Sequence, residues 1–178
     1  RSRGLGDVYK RQGLFSSSSK STYTQDYRTS KSSTVASGGN LSLLAGVSGL
    51  TPGASADTPA SPGHASVVGS NLVSGKDLTV AASGNVNVSS AQNSSYFSHT
   101  KSTVGALGLS SSSKREEKSS VTQVGSTLSG ENVKISAGND ITATASNIFA
   151  SQNVQLNAEK GNILLDAAQN TQSSYYKS

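Results

Sequence analysis

The chain repeats itself at two nested periods, and the shorter period excludes most folds. GLFSSSSK at 13–20 returns as GLSSSSK at 108–114, and SAQNSSYF at 90–97 returns as AAQNTQSSYY at 167–176. SNLVSGKDLTVAASGNVNV at 70–88 matches SNIFASQNVQLNAEKGNILL at 146–165 with one inserted residue. VASGGNLSLLAG at 35–46 matches TLSGENVKISAG at 127–138. Internal repetition of this kind takes precedence over any local reading of secondary structure. Two copies of one long unit follow, at 13–97 and 98–178, the second truncated at its end. The first copy carries an insertion, 47–64, which holds all three prolines, Pro52, Pro59 and Pro62. Proline cannot donate to a central sheet ladder, so the insertion reads as a protruding loop.

Inside each copy a turn residue is followed by Asn or Asp and then by apolar–polar–apolar. The pattern occurs at Asn40–Leu43, Asp77–Val80, Asn85–Val88, Asn132–Ile135, Asp140–Ala143, Asn153–Leu156 and Asn162–Leu165. Apolar residues two apart share one face of a strand. Asn, Asp and Gly ahead of them supply turn geometry at low cost. Asn132 to Asn153 is a step of 21 positions, and Asp140 to Asn162 is one of 22. No helical stripe outlasts a turn, and Gly, Ser, Thr and Asn disfavour helix interiors. Short strands recurring about every 20 residues indicate a β-solenoid, an all-β fold whose coils depend on stacking for stability. Asn at equivalent turn positions can then form amide ladders from coil to coil.

The tracts at 15–34 and 94–127 are rich in Ser, Thr and Lys, with aromatics at Tyr23, Tyr27, Tyr96 and Phe97. Too polar for a core and too β-prone for a linker, they read as protruding, extended, hairpin-like excursions. A short helical turn at 114–118 is the one helical alternative.

Charge says little about partners. The formal +5 comes largely from residues 1–12, RSRGLGDVYKRQ, which share nothing with the rest and resemble translated adapter sequence. Such non-native segments are set outside fold reasoning. Without Arg1, Arg3, Lys10, Arg11 and Asp7, the 15 basic and 10 acidic residues become 11 and 9. A near-neutral remainder gives no electrostatic warrant for nucleic acid. No apolar run is long enough to span a bilayer as a helix. The hydrophobic fraction of 33%, against the roughly 45–50% of globular domains, argues against a compact enzyme. Zero Cys excludes disulfides, zinc–thiolate sites and cysteine catalysis within these residues.

Candidate sites are few. Asp77 and Asp140 occupy the turn position that Asn holds in other coils, which turn chemistry explains and catalysis does not. Glu116 and Glu117 lie among Lys114, Arg115 and Lys118, a solvated charge cluster, and Asp166 faces solvent after an apolar strand. His64 and His99 fall in non-equivalent tracts with no identifiable third partner for a metal or a nucleophile. GSNLVSGKD at 69–77 has the wrong glycine spacing for a phosphate loop. No catalytic, metal or cofactor residue is assigned, and no cofactor is expected. The doublets Tyr96-Phe97 and Tyr175-Tyr176 recur once per unit and are the candidate partner contacts. Exposed aromatics can stack on sugars or anchor a protein. Cross-strand packing is the rival and favoured reading.

The coil motif G-N/D-L-x-L-x-A-G, the AQN followed by Ser/Thr/Tyr-rich sequence, and the SSSSK tract resemble filamentous-haemagglutinin-type repeats. Such repeats belong to two-partner-secreted adhesins and contact-dependent growth-inhibition exoproteins of Gram-negative bacteria. The resemblance runs from 13 to 178. It implies a right-handed parallel β-helix, export through an outer-membrane transporter, and display at the cell surface as a non-enzymatic shaft. A receptor or glycan on the target envelope is the implied partner. Lack of Cys suits threading through a pore. The rivals are a carbohydrate-active β-helix enzyme, marked by clustered carboxylates, and an autotransporter or phage-tail solenoid.

Overall fold

The computed structural model describes residues 2–10, 17–46 and 62–178, which are mostly strand. In chain order, β1 is Ser2–Lys10, β2 Ser18–Arg28, β3 Thr34–Ser37, β4 Leu41–Ala45 and β5 Ala65–Val68. Next come β6 at Asn71–Ser74, β7 at Asp77–Ala82, β8 at Val86–Ser89, β9 at Ala91–Val104 and β10 at Ser111–Val124. The last are β11 at Thr127–Ala137, β12 at Ile141–Thr144, β13 at Asn147–Ala158, β14 at Ile163–Asp166 and β15 at Thr171–Lys177. Among the described residues the one helical element is a single 3-10 turn at Ala106–Gly108, between β9 and β10. The chain divides into two compact units, one made of Ser30–Ala91 with Gln123–Ala168 and the other of the remaining three segments.

The first unit is a stack of parallel strands. Its passes through the core are β3-β4-β5, β6-β7-β8, β11-β12 and β13-β14, and each pairs in register with the next. The motif places like residues above like. Leu43, Val80, Ile135 and Leu156 form one row, and Ala45, Ala82, Ala137 and Ala158 form another. Ala65, Val86, Ile141 and Ile163 form a row in the second parallel sheet. The two sheets share one hydrophobic core. The all-β, parallel arrangement expected from the motif is therefore present.

Each pass holds three strand segments, not the two that the Asn/Asp motif marks. The additional column is β3, β6 and the first halves of β11 and β13, with Val35, Leu72, Leu128 and Ile148 in register. Its second inward position is Ser37, Ser74 or Gly130 in the first three passes and Ala150 only in the fourth, so an apolar period-2 pair is missing from most of the column. β5 is likewise outside the motif, yet Ala65 and Val67 are buried against β8.

Turn geometry fixes the corners. Gly138 follows Ala137 where the chain turns toward β12, and a Cβ there would strike the Ser83 carbonyl. Gly46 (φ +62°) lies beside Gly63, since a Cβ on Gly46 would come within 2.7 Å of the Gly63 Cα. The two flanks of the insertion at 47–64 therefore adjoin. Gly63 and His64 belong to the stack, with the Gly63 carbonyl accepting from Gly84 N–H at 2.8 Å. Residues 47–61, including Pro52 and Pro59, lie outside the described residues.

The second unit is an antiparallel sheet in the order β1-β2-β9-β10-β15. The Ser/Thr-rich tracts form β2, β9 and β10, and Gly105 N–H donates to the Ser110 carbonyl (2.7 Å) across the β9–β10 loop. None of its described side chains is fully buried. The stretch 114–118 is strand, not the helical turn considered above, because its charges alternate at the strand period and pair along each face. β1, from the adapter-like segment, pairs with β2 from Ser2↔Tyr27 to Lys10↔Ser19. A backbone ladder asks for no particular side chains, so this pairing does not bear on the segment's origin.

Candidate functional site

The polar residues at the corners of the stack form two hydrogen-bonded columns. In the first, Asp77 N–H donates to Asn40 Oδ1 (3.3 Å), Asn132 Nδ2 to Asp77 Oδ1 (2.9 Å), and Asn153 Nδ2 to Asn132 Oδ1 (3.0 Å). In the second, Asn85 N–H donates to His64 Nδ1 (2.9 Å), Asp140 N–H to Asn85 Oδ1 (3.3 Å), and Asn162 N–H to Asp140 Oδ1 (2.8 Å). The carboxylates of Asp77 and Asp140 are thus engaged in joining passes. Asp166 Oδ1 accepts from the next backbone amide, Ala167 N–H, at 2.8 Å. Residues 69–77 form a corner, β6 and a second corner, so no phosphate cradle exists there. Among the described residues no three or more His, Cys, Asp or Glu side chains gather as a metal site would need.

The aromatic doublets lie in the antiparallel sheet, where strand geometry separates the two members of each. Tyr96 pairs with Asp26 and Phe97 with Gln25, while Tyr175 pairs with Glu117 and Tyr176 with Glu116. Neighbours along a strand face opposite sides. Tyr96 and Tyr175 accordingly share a side with Glu117, and Phe97 lies on the other with Tyr23 and His99. Tyr23 and His99 stack with ring centroids 4.3 Å apart, and Ser21 Oγ is 2.8 Å from His99 Nε2. Tyr175 and Tyr176 are exposed.

Tyr96 is tied through its hydroxyl. Its Oη donates to Glu117 Oε1 at 2.9 Å, and Arg115 Nη2 donates to the same oxygen at 2.5 Å. Arg115, followed by the Tyr96 hydroxyl, holds the Glu117 carboxyl below the usual carboxylate range, and Glu117 in turn raises Arg115. Lys118, 2.6 Å from Glu116 Oε1, holds that carboxyl low as well. Such exposed pairs add little stability. Beside Tyr96 is a cleft of about 320 Å³, lined by Asp26, Arg28, Ser94, Ser119 and Val121 among others. Asp26, Arg28 and these serines come from three strands, and nothing in their local sequence marked them as neighbours.

The hemagglutinin repeat family matches residues 14–110 and again 107–178, together nearly the whole chain. The chain belongs to the hemagglutinin repeat family. Residues 1–12 fall outside both matches. Among curated proteins, this hemagglutinin-repeat chain is similar to the 16S rRNA endonuclease CdiA of Enterobacter cloacae subsp. cloacae, with 36% identity over 101 residues. It is also 32% identical over 123 residues to Toxin CdiA of Yersinia pestis. These alignments cover 56% and 62% of this chain but only 3% and 4% of the relatives. No solved structure matches. The family and its relatives support a filamentous-haemagglutinin-type repeat region of a two-partner-secreted adhesin or contact-dependent growth-inhibition exoprotein. Among the described residues no helix is long and apolar enough to cross a membrane.

Proposed function

We propose that the chain is a length of right-handed parallel β-helix serving as a shaft and adhesive segment of a large exoprotein. The observation that carries this reading is the in-register succession of like residues, such as Leu43, Val80, Ile135 and Leu156. A stack of this kind propagates along one axis, since each pass contacts only its neighbours. Parallel strands joined by crossovers are almost always right-handed, which supports the assigned sense. In this reading the exoprotein leaves through an outer-membrane transporter and is displayed at the surface of a Gram-negative cell. The shaft holds distal modules outward, and Tyr96, Phe97, Tyr175 and Tyr176 are its points of contact with a target-cell receptor or glycan. The toxin activities named for the relatives belong to those proteins; the part proposed for this chain is to carry and present.

Adding tandem copies of residues 30–178 within the parent exoprotein tests the shaft. Four passes at ~4.8 Å each add about 19 Å per copy. Five copies should therefore lengthen the particle by roughly 95 Å in electron micrographs. Particles that thicken or bead without growing linearly in copy number would overturn the reading.

A further inference from the structure

We infer that the cleft beside Tyr96 is a binding site for a neutral saccharide. This deepens the adhesive half of the reading above and rests on it, placing the sugar contact at one defined spot. The cleft's volume, about 320 Å³, lies at the lower end of the roughly 300–1,000 Å³ common for small-molecule sites. Its lining alternates the groups that a ring of hydroxyls requires. The Asp26 carboxylate accepts, and with about four lone-pair sites it can take a ligand hydroxyl beside its existing interactions. The Arg28 guanidinium donates from a planar fork, and the Ser94 and Ser119 hydroxyls do either. Ser119 Oγ is already set at 2.8 Å from Ser173 Oγ.

Tyr96 supplies the apolar surface on which the carbon face of a sugar ring can lie. Its ring is held in advance, because Oη is tied to Glu117 and Glu117 to Arg115. A ring fixed before binding loses little entropy when the ligand arrives. Charge narrows the ligand class. Among the lining residues the one carboxylate and the one guanidinium balance, so the cleft has no net charge to favour an ionic sugar over a neutral one. The Glu117–Arg115 pair next to them is also neutral in sum.

The test uses the full chain with lactose, maltose and chitobiose as neutral probes and sialyllactose as the charged comparison. Binding is read by saturation transfer and by amide shifts in a nuclear magnetic resonance titration. At least one neutral disaccharide should bind in the millimolar range and shift amides at 94–96 and 119–121. Tyr96→Ala should weaken it by about tenfold or more, the scale of a lost anchor residue. Asp26→Asn, which keeps shape and removes charge, should weaken it as well; it carries the test if Tyr96→Ala does not fold. Tyr27→Ala, an exposed ring on the other side of β2, should leave affinity unchanged. The site is overturned if none of the three disaccharides binds or binding survives both cleft variants. It is equally overturned if Tyr27→Ala costs as much, or if sialyllactose binds more tightly than every neutral probe. Rod lengthening is read separately, so the shaft can stand while the cleft falls.

Discussion

Asn132 spans two passes by itself, donating to Asp77 and accepting from Asn153. Sequence alone treats Asn and Asp as equivalent here, since both suit the turn. The columns show a further constraint, because Asp77 and Asp140 each have no carboxylate directly above or below them. Asn132→Asp keeps the acceptor for Asn153 but sets a second negative charge against Asp77. Like charges directly opposite on adjacent strands cost up to about 1 kcal/mol, and a hydrogen bond is lost as well. We expect Asn132→Asp to destabilise the stack by about 1–2 kcal/mol in chemical denaturation, and Asn132→Ser to cost less than that. Equal stability of Asn132→Asp and wild type would show that the column carries no energy. His64 shows a different side of the same chemistry, with Nδ1 taking the place that an amide oxygen holds in the following pass.

Position in the stack decides what an element contributes. β7 and β11 have neighbours on both sides, whereas among the described residues β13 is paired only with β11. Ile135 is fully buried, while Leu156, its equivalent in the fourth pass, is only partly so. In the same pass Val154 is 47% and Leu165 62% exposed. Ile135→Ala should therefore cost about 2–5 kcal/mol, as for other deletions in a close-packed interior, and Leu156→Ala about half of that or less. Paired thermal melts would check the ratio, and equal losses would refute the end-to-middle gradient. The motif made the inward faces of β4, β7, β8, β12 and β14 legible, because two apolar residues at strand spacing declare a face. It left β3, β6 and β5 unmarked, as a segment with one inward apolar residue, or with no preceding Asn, carries no apolar period to detect. The cleft at Tyr96 was illegible for another reason. Its lining comes from strands far apart in sequence, and Ser is too common here for any one serine to stand out.

At the scale of the molecule, the chain leaves the stack after β8 and rejoins it in phase. After β8 it runs through β9 and β10 before β11 settles on β6 and β7, so the excursion leaves the pairing intact. At the described end of the insertion at 47–64, Gly63 and His64 bond to the second pass. Deleting 48–60 joins flanks that already adjoin. Loop-closure cost changes by only about 0.6 kcal/mol per doubling of length. We expect circular dichroism to be unchanged and the melting temperature to hold or rise slightly; loss of the β signal would place the insertion in the core. A deletion that also removed His64 should be worse, because it strips the acceptor from the Asn85 amide.

The row Ala45, Ala82, Ala137 and Ala158 has a consequence for descent as well as for packing. Because successive passes set alike side chains at the same heights, a crossover that joined one pass to another in phase would set each row residue on a like one. Whole turns could be gained or lost in a single generation with no fresh surface to perfect, making length the trait that heredity can most freely adjust.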